Sequence, residues 1–127
     1  MTDGAVTGEG ARRVLVVEDE VMIALMVEQM LAEIGYEVVG PGMRLREAVS
    51  LAETEAVDAA VLDVNLGGDR SFPVADVLRR RGVPFVFATG YGSAGLDEPY
   101  RDATVLRKPF DRPELERALA EALAGAR

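Results

Sequence analysis

The sequence predicts a doubly wound α/β domain, and three observations carry that prediction. Five short apolar runs, several of them β-branched, are spaced along the chain, each suited to a strand buried on both faces. Stretches with apolar residues at helical spacing separate them. At 127 residues the chain has room for one domain of ordinary size. Strands alternating with helices call for right-handed crossovers, and so for a parallel sheet covered by helices on both sides.

The first run is Arg13 to Val17, RVLVV. After it Val21, Leu25, Met26, Gln29, Met30 and Glu33 recur at helical spacing, Met22 and Ile23 add apolar surface, and Gly35 is placed to end the helix as its C′ glycine. The apolar residues of this helix are expected mostly in the core. The unit then repeats: Val38 and Val39 followed by a helix around Leu45 to Glu53, Ala59 to Leu62 followed by Val74 to Arg81, and Phe85 to Ala88 followed by a weaker segment. Val105 to Arg107 and then Pro113 to Leu123 close the pattern. Gly90, Gly92, Gly95 and Pro99 crowd the place of the fourth of five helices, which is expected to be weak and mobile. Residues 1–11 lack apolar periodicity and are expected to form a flexible tail, leaving 12–127 as the folded domain. For five such units the common arrangement is flavodoxin-like, with strand order 2-1-3-4-5. Its functional crevice lies outside the carboxyl ends of the strands, at the switch between strands 1 and 3.

Composition narrows the chemistry. No apolar run approaches the length of a membrane span, and the polar, glycine-rich start has neither a basic nor an apolar segment of a secretory signal, so the cytoplasm is the expected address. The absence of cysteine and histidine removes disulfides, thiolate chemistry and the usual zinc and copper sites, so any metal must be held by oxygen. A net charge of −8, from 14 basic and 22 acidic residues, repels nucleic-acid phosphates and anionic lipid, and neither is an expected partner. Every basic residue is arginine except Lys108.

That lysine follows the fifth strand. Glu18 and Asp19 follow the first, Asp63 the third and Thr89 the fourth, so the crevice rule brings all five together. Three carboxylates without histidine suit Mg²⁺, a hard ion that prefers oxygen ligands. Crowded carboxylates raise one another's pKa and a divalent ion reverses this, so ion and ionised cluster support each other. Lysine supplies a compact charge able to follow a phosphate oxygen. Taken singly, each residue has a plainer reading: Glu18 and Asp19 as helix caps, Asp63 as a turn former ahead of Gly67 and Gly68, Thr89 and Lys108 as ordinary strand-end residues. Their joint placement argues for a site. Gly8-Glu9-Gly10 precedes the first strand, where a dinucleotide fingerprint would follow it, and no phosphate-binding GxxxxGK[ST] loop occurs. Arg79 to Arg81 reads as the solvated end of the third helix.

VVEDE at Val16 to Glu20, VLDVN at Val61 to Asn65, FATG at Phe87 to Gly90 and RKPF at Arg107 to Phe110 together resemble the receiver family of two-component response regulators over nearly the whole chain. The resemblance implies that Asp63 is a phosphoacceptor and that Asp19 ligates Mg²⁺ directly, with Glu18 helping through water and Asn65 through its backbone carbonyl. It also implies that Thr89 and Lys108 grip the phosphoryl oxygens and that the Lys108–Pro109 peptide is cis. The implied reaction is in-line attack by Asp63 on a phosphohistidine of a sensor histidine kinase or a histidine phosphotransfer protein. Such a protein is a signalling element that catalyses its own phosphorylation and slow dephosphorylation, formally not an enzyme. FATGY at Phe87 to Tyr91 looks like the FATGUY subgroup of single-domain response regulators of alphaproteobacteria, departing from it where Gly92 follows Tyr91. The chain stops at Arg127 soon after its last helix, which suggests a stand-alone receiver acting on a downstream protein effector. Most receivers carry an aromatic switch residue three places before the lysine; that place is Val105, too short and stiff to serve, so Tyr91 beside Thr89 is the expected reporter. The alternative is a non-phosphorylated pseudo-receiver used only for protein binding, against which the complete residue set counts. A related hydrolase would want a second acid two residues after Asp63, where Asn65 stands.

Overall fold

The structure, a computed structural model, describes residues 11–90, 96, 100 and 103–125. Nearly all of the expected tail, the weak fourth helix and Tyr91 lie outside the described residues. Along the chain run β1 (Arg13–Val17), α1 (Val21–Ile34), β2 (Glu37–Gly42), α2 (Leu45–Thr54), β3 (Ala59–Asp63), β4 (Asn65–Leu66), β5 (Asp69–Arg70), α3 (Phe72–Arg80), β6 (Phe85–Thr89), β7 (Val105–Arg107) and α4 (Arg112–Ala124).

Five of these strands form one parallel sheet in the order β2-β1-β3-β6-β7, which is the predicted 2-1-3-4-5 arrangement. The central strands read as unbroken apolar runs because both faces are covered. Leu15, Val17, Ala60, Leu62 and Phe87 face a core shared with α2 and α3, while Val14, Val16, Ala59, Val61 and Val86 face a second core against α1 and α4. β2 extends over Gly40 and Pro41, beyond the Val38–Val39 pair visible in the sequence. It is an edge strand, where a residue without an N–H leaves no inner ladder bond unmade. Close packing of β2 on α2 needs Gly42, since a Cβ there would come within 2.9 Å of the Ala48 Cα.

α1 corrects the sequence reading. Its buried residues are Ala24, Val27 and Leu31, whereas Val21, Met22, Leu25 and Met26 are exposed, from 50% to 72% of their surface. Hydrophobicity all round the helix hid which stripe faces inward; Val27 and Leu31, with Ile23, Met30 and Ile34 half-buried beside them, pack on the core. Arg81 was also read too simply. Its guanidinium donates to the carbonyls of Ala52 and Glu55, tying the end of α3 to the carboxyl end of α2, where carbonyls lack helical partners. The sequence singled out nothing at Tyr100. Its ring is buried among Phe72, Phe85 and Phe87, its hydroxyl donates to Asp76 on α3, and the Arg79 guanidinium lies 4.4 Å over its face.

The second unpredicted element is a hairpin between Asp63 and α3. β4 and β5 pair antiparallel, Asn65 opposite Arg70 and Leu66 opposite Asp69. Gly67 and Gly68 take φ of +55° and +98°, the positive values that a tight two-residue turn of the primed type demands. Leu66 is buried and anchors the hairpin to the α2–α3 core, and the Ser71 N–H closes its base by donating to the Val64 carbonyl at 2.8 Å.

Candidate functional site

Four parallel strands end side by side, and the candidate residues are what stands at those ends. β1 delivers Glu18 and Asp19, with the Glu18 N–H held by the Gly42 carbonyl at 3.0 Å. β3 terminates on Asp63 and β6 on Thr89. Lys108 follows β7 and extends its ladder, its N–H donating to the Thr89 carbonyl at 2.9 Å. The Lys108–Pro109 peptide is cis. The crevice rule therefore located the site, and Glu18, Asp19, Asp63, Thr89 and Lys108 all meet there.

Glu18, Asp63 and Thr89 are buried. A carboxylate oxygen from each of Glu18, Asp19 and Asp63 lies within 4.8 Å of the others, close enough for one ion to touch all three. Lys108 Nζ donates to Glu18 Oε1 at 2.9 Å and lies 3.5 Å from Asp63 Oδ1. Burial and the neighbouring Glu18 charge raise the Asp63 carboxyl from 3.8 to about 7; Lys108 and the Asn65 N–H pull it back down. Burial works against the charge on Lys108, but its bond to Glu18 and the charges of Asp63 and Glu18 prevail, so its pKa is raised. The crevice thus holds more negative charge than one lysine balances. A divalent cation fits that surplus, and the all-oxygen donor set suits Mg²⁺.

The capping alternative for the acidic pair does not describe what the structure shows. The N-cap of α1 is Glu20, which makes no side-chain cap, and its N–H donates to Glu18 Oε2 at 3.2 Å. Asp19 instead accepts a 2.8 Å hydrogen bond from the Gly67 N–H at the hairpin tip. A cleft of 600 Å³ between the β2–α2 turn and this hairpin, lined by Met43, Arg44, Leu66 and Gly67, opens onto Asp19. Asn65, on β4, lies beside the Asp63 carboxylate, where its backbone lowers the carboxyl's pKa. In a two-residue hairpin Leu66 and Asp69 bond to each other, which turns both the N–H and the C=O of Asn65 to the other edge, toward the crevice. Val105 pairs with Phe87 and packs half-buried on the α2–α3 core. The expected reporter Tyr91 lies outside the described residues. Gly67 and Tyr100 were missed; for the first a signal existed, since Gly-Gly between two short runs marks a hairpin.

Comparison with known proteins agrees with this geometry. The family described as response regulator receiver domain matches residues 14–120. The chain belongs to that family, and receiver domains bind Mg²⁺ in an acidic pocket of the kind formed by Glu18, Asp19 and Asp63. The solution structure of SdrG from Sphingomonas melonis Fr1 is similar at 42% identity and a TM-score of 0.80, over 91% of this chain and 99% of that one. The receiver domain of a sensor histidine kinase from Pseudomonas aeruginosa PAO1, solved with a magnesium ion coordinated in its active-site cleft, is 26% identical over 91% of this chain and all of that one, with a TM-score of 0.75. Among curated proteins, the transcriptional regulatory protein PdtaR of Mycobacterium tuberculosis is 36% identical over 89% of this chain and 57% of its own length. The chain spans about half the length of the curated relatives it matches.

Proposed function

We propose that this receiver accepts a phosphoryl group on Asp63 from a histidine kinase or histidine phosphotransfer protein and then switches its binding to a downstream protein. The observation that carries the reading is the convergence of Lys108 Nζ, 3.5 Å from Asp63, with three carboxylates whose oxygens lie within 4.8 Å of one another. An Asp63 oxygen attacks phosphorus in line, an O–P bond forms as the P–N bond breaks, and the imidazole leaves. Asp19, Asp63 and the Asn65 carbonyl would hold Mg²⁺ directly, with Glu18 helping through water. When bound, the ion neutralises the carboxylates and the phosphoryl oxygens. Lys108 and Thr89 hold the remaining phosphoryl oxygens, and the same groups support slow hydrolysis of the acyl phosphate. The pseudo-receiver alternative has no observation in its favour, since no member of the residue set is missing.

A protein donor must cover the crevice mouth to reach Asp63, and the exposed Val21, Met22, Leu25 and Met26 begin three residues beyond Glu18. An apolar patch next to a site of transfer fits a protein surface better than a small molecule. The subgroup reading rests on Phe87 to Tyr91 alone. Among the described residues no helix is long and apolar enough to cross a membrane, and we place the protein in the cytoplasm. Mass spectrometry after incubation with a small acyl phosphate and Mg²⁺ tests the core of the proposal. One phosphate adduct should form and should be absent with chelator or with Asp63→Asn; an adduct that survives either change refutes the assignment.

A further inference from the structure

We infer that the β4–β5 hairpin is a positioning clamp for the metal-binding carboxylates, acting through the Gly67 N–H on Asp19. The inference rests on the proposed Mg²⁺ site and adds residues to it that the sequence did not mark.

In an extended strand, the N–H groups of residues two apart point the same way. Leu66 turns its backbone to Asp69 in the hairpin ladder, so Asn65 and Gly67 present theirs to the opposite edge. That edge pairs with no strand among the described residues. It meets carboxylates: the Gly67 N–H donates to Asp19 Oδ2 at 2.8 Å, and the Asn65 backbone acts on the Asp63 carboxyl, lowering its pKa. One short strand therefore satisfies a donor of its own by fixing one of the three carboxylates that converge in the crevice, with a second beside it.

The clamp is itself fixed at three points. Leu66 is buried in the α2–α3 core, Ser71 closes the base on Val64, and the Gly67–Gly68 turn holds the tip over Asp19. An N–H on a carboxylate withdraws some charge from it, which weakens it slightly as a ligand. It also removes rotational freedom and leaves the second oxygen, Oδ1, without a claim from the hairpin. Orientation outweighs basicity where several ligands must meet one ion, because loss of such outer contacts lowers metal affinity by about tenfold or more.

Position 67 carries both the donor and the turn that aims it, so the clamp can be broken or kept by one substitution. Gly67→Pro deletes the N–H and imposes a negative φ where +55° is required. Gly67→Asn keeps the N–H and tolerates that φ, and a Cβ there would lie 3.8 Å from Asp19 Oδ2, an ordinary contact. The experiment is calorimetric titration with Mg²⁺ of the full-length wild type, Gly67→Pro and Gly67→Asn, with thermal melts to confirm folding. Gly67→Pro should raise the Mg²⁺ Kd about tenfold or more, while Gly67→Asn stays within about twofold of wild type. A folded Gly67→Pro that binds Mg²⁺ as the wild type does overturns the clamp and leaves the proposed function standing; a wild type that binds no Mg²⁺ overturns both. Amide hydrogen exchange in Asp19→Ala gives an independent reading. The Gly67 N–H should lose protection there while Leu66 keeps its own, and equal protection of Gly67 in both proteins refutes the contact.

Discussion

Replacing Asp63 by asparagine should stabilise the metal-free protein, and should do so only toward neutral and alkaline pH. Burial and the Glu18 charge raise the Asp63 carboxyl from 3.8 to about 7. A carboxyl whose pKa rises on folding binds its proton more tightly in the folded state, so stability is lost as pH climbs from about 4 to about 7 and is not regained above. The span from 3.8 to about 7 corresponds to about 4 kcal/mol at most. Water entry at the crevice mouth and side-chain relaxation reduce this to about 2–3 kcal/mol. Asparagine has the same shape and does not ionise, so Asp63→Asn should recover that energy at pH 8 and almost none of it near pH 4.5. In a chain of 127 residues the gain is roughly 8–12 °C in Tm. The assay is thermal unfolding followed by circular dichroism, in chelator, across that pH range. Saturating Mg²⁺ should then close the gap at pH 8 by stabilising the wild type. A gap of equal size at both pH values would show that the crevice charge is not its source.

Lys108→Ala should bind Mg²⁺ roughly three- to tenfold more tightly by titration, because the ammonium competes for Glu18 and Asp63, and should retain a beryllofluoride phosphoryl mimic less well. Tyr100→Phe should cost about 1 kcal/mol in denaturant unfolding through the lost bond to Asp76, and Tyr100→Ala about 3–5 kcal/mol through the emptied aromatic cluster. Met22→Glu, on the exposed face of α1, should leave stability within about 0.5 kcal/mol of wild type. It should slow phosphorylation by a cognate protein donor and leave the rate with a small acyl phosphate unchanged.

What the sequence made legible follows from what leaves a periodic trace. Strands buried on both faces, such as Val14 to Val17 and Ala59 to Leu62, write uninterrupted apolar runs, and their alternation with helices forces the sheet order. The ends of those strands then locate Asp19, Asp63, Thr89 and Lys108 without any view of side chains. α1 was only partly legible: Ile23, Val27, Met30, Leu31 and Ile34 pack inward as expected, whereas Val21, Met22, Leu25 and Met26 face outward. Hydrophobicity reports what a residue is and not which neighbour it needs. The hairpin escaped because two-residue strands carry no period, although the Gly67–Gly68 pair states its turn. Tyr100 escaped because an isolated aromatic in a polar stretch has no pattern to join; its place is set by Phe72, Phe85 and Phe87 from two other elements.

Charge accounting shows why the proposed reaction needs each part of the crevice. Glu18, Asp19 and Asp63, when ionised, carry three negative charges against the single positive charge of Lys108. Adding a phosphoryl group, which brings about −1.5 to −2 charges, to that surplus would be strongly opposed. A divalent cation cancels the surplus beforehand, and because forming the acyl phosphate removes the Asp63 carboxylate charge, the phosphorylated crevice is left close to one net negative charge. Lys108 begins the reaction engaged mainly with Glu18, at 2.9 Å, and only at 3.5 Å from Asp63. A phosphoryl oxygen on Asp63 offers it a stronger partner within a small movement. The Lys108 N–H is bonded to the Thr89 carbonyl, so the two phosphate-facing residues are tied to each other across β6 and β7. Phe87 lies on the same strand as Thr89, two residues back, and touches Tyr100 and pairs with Val105. Through Tyr100, whose hydroxyl donates to Asp76, the strand that ends on Thr89 is packed directly against α3.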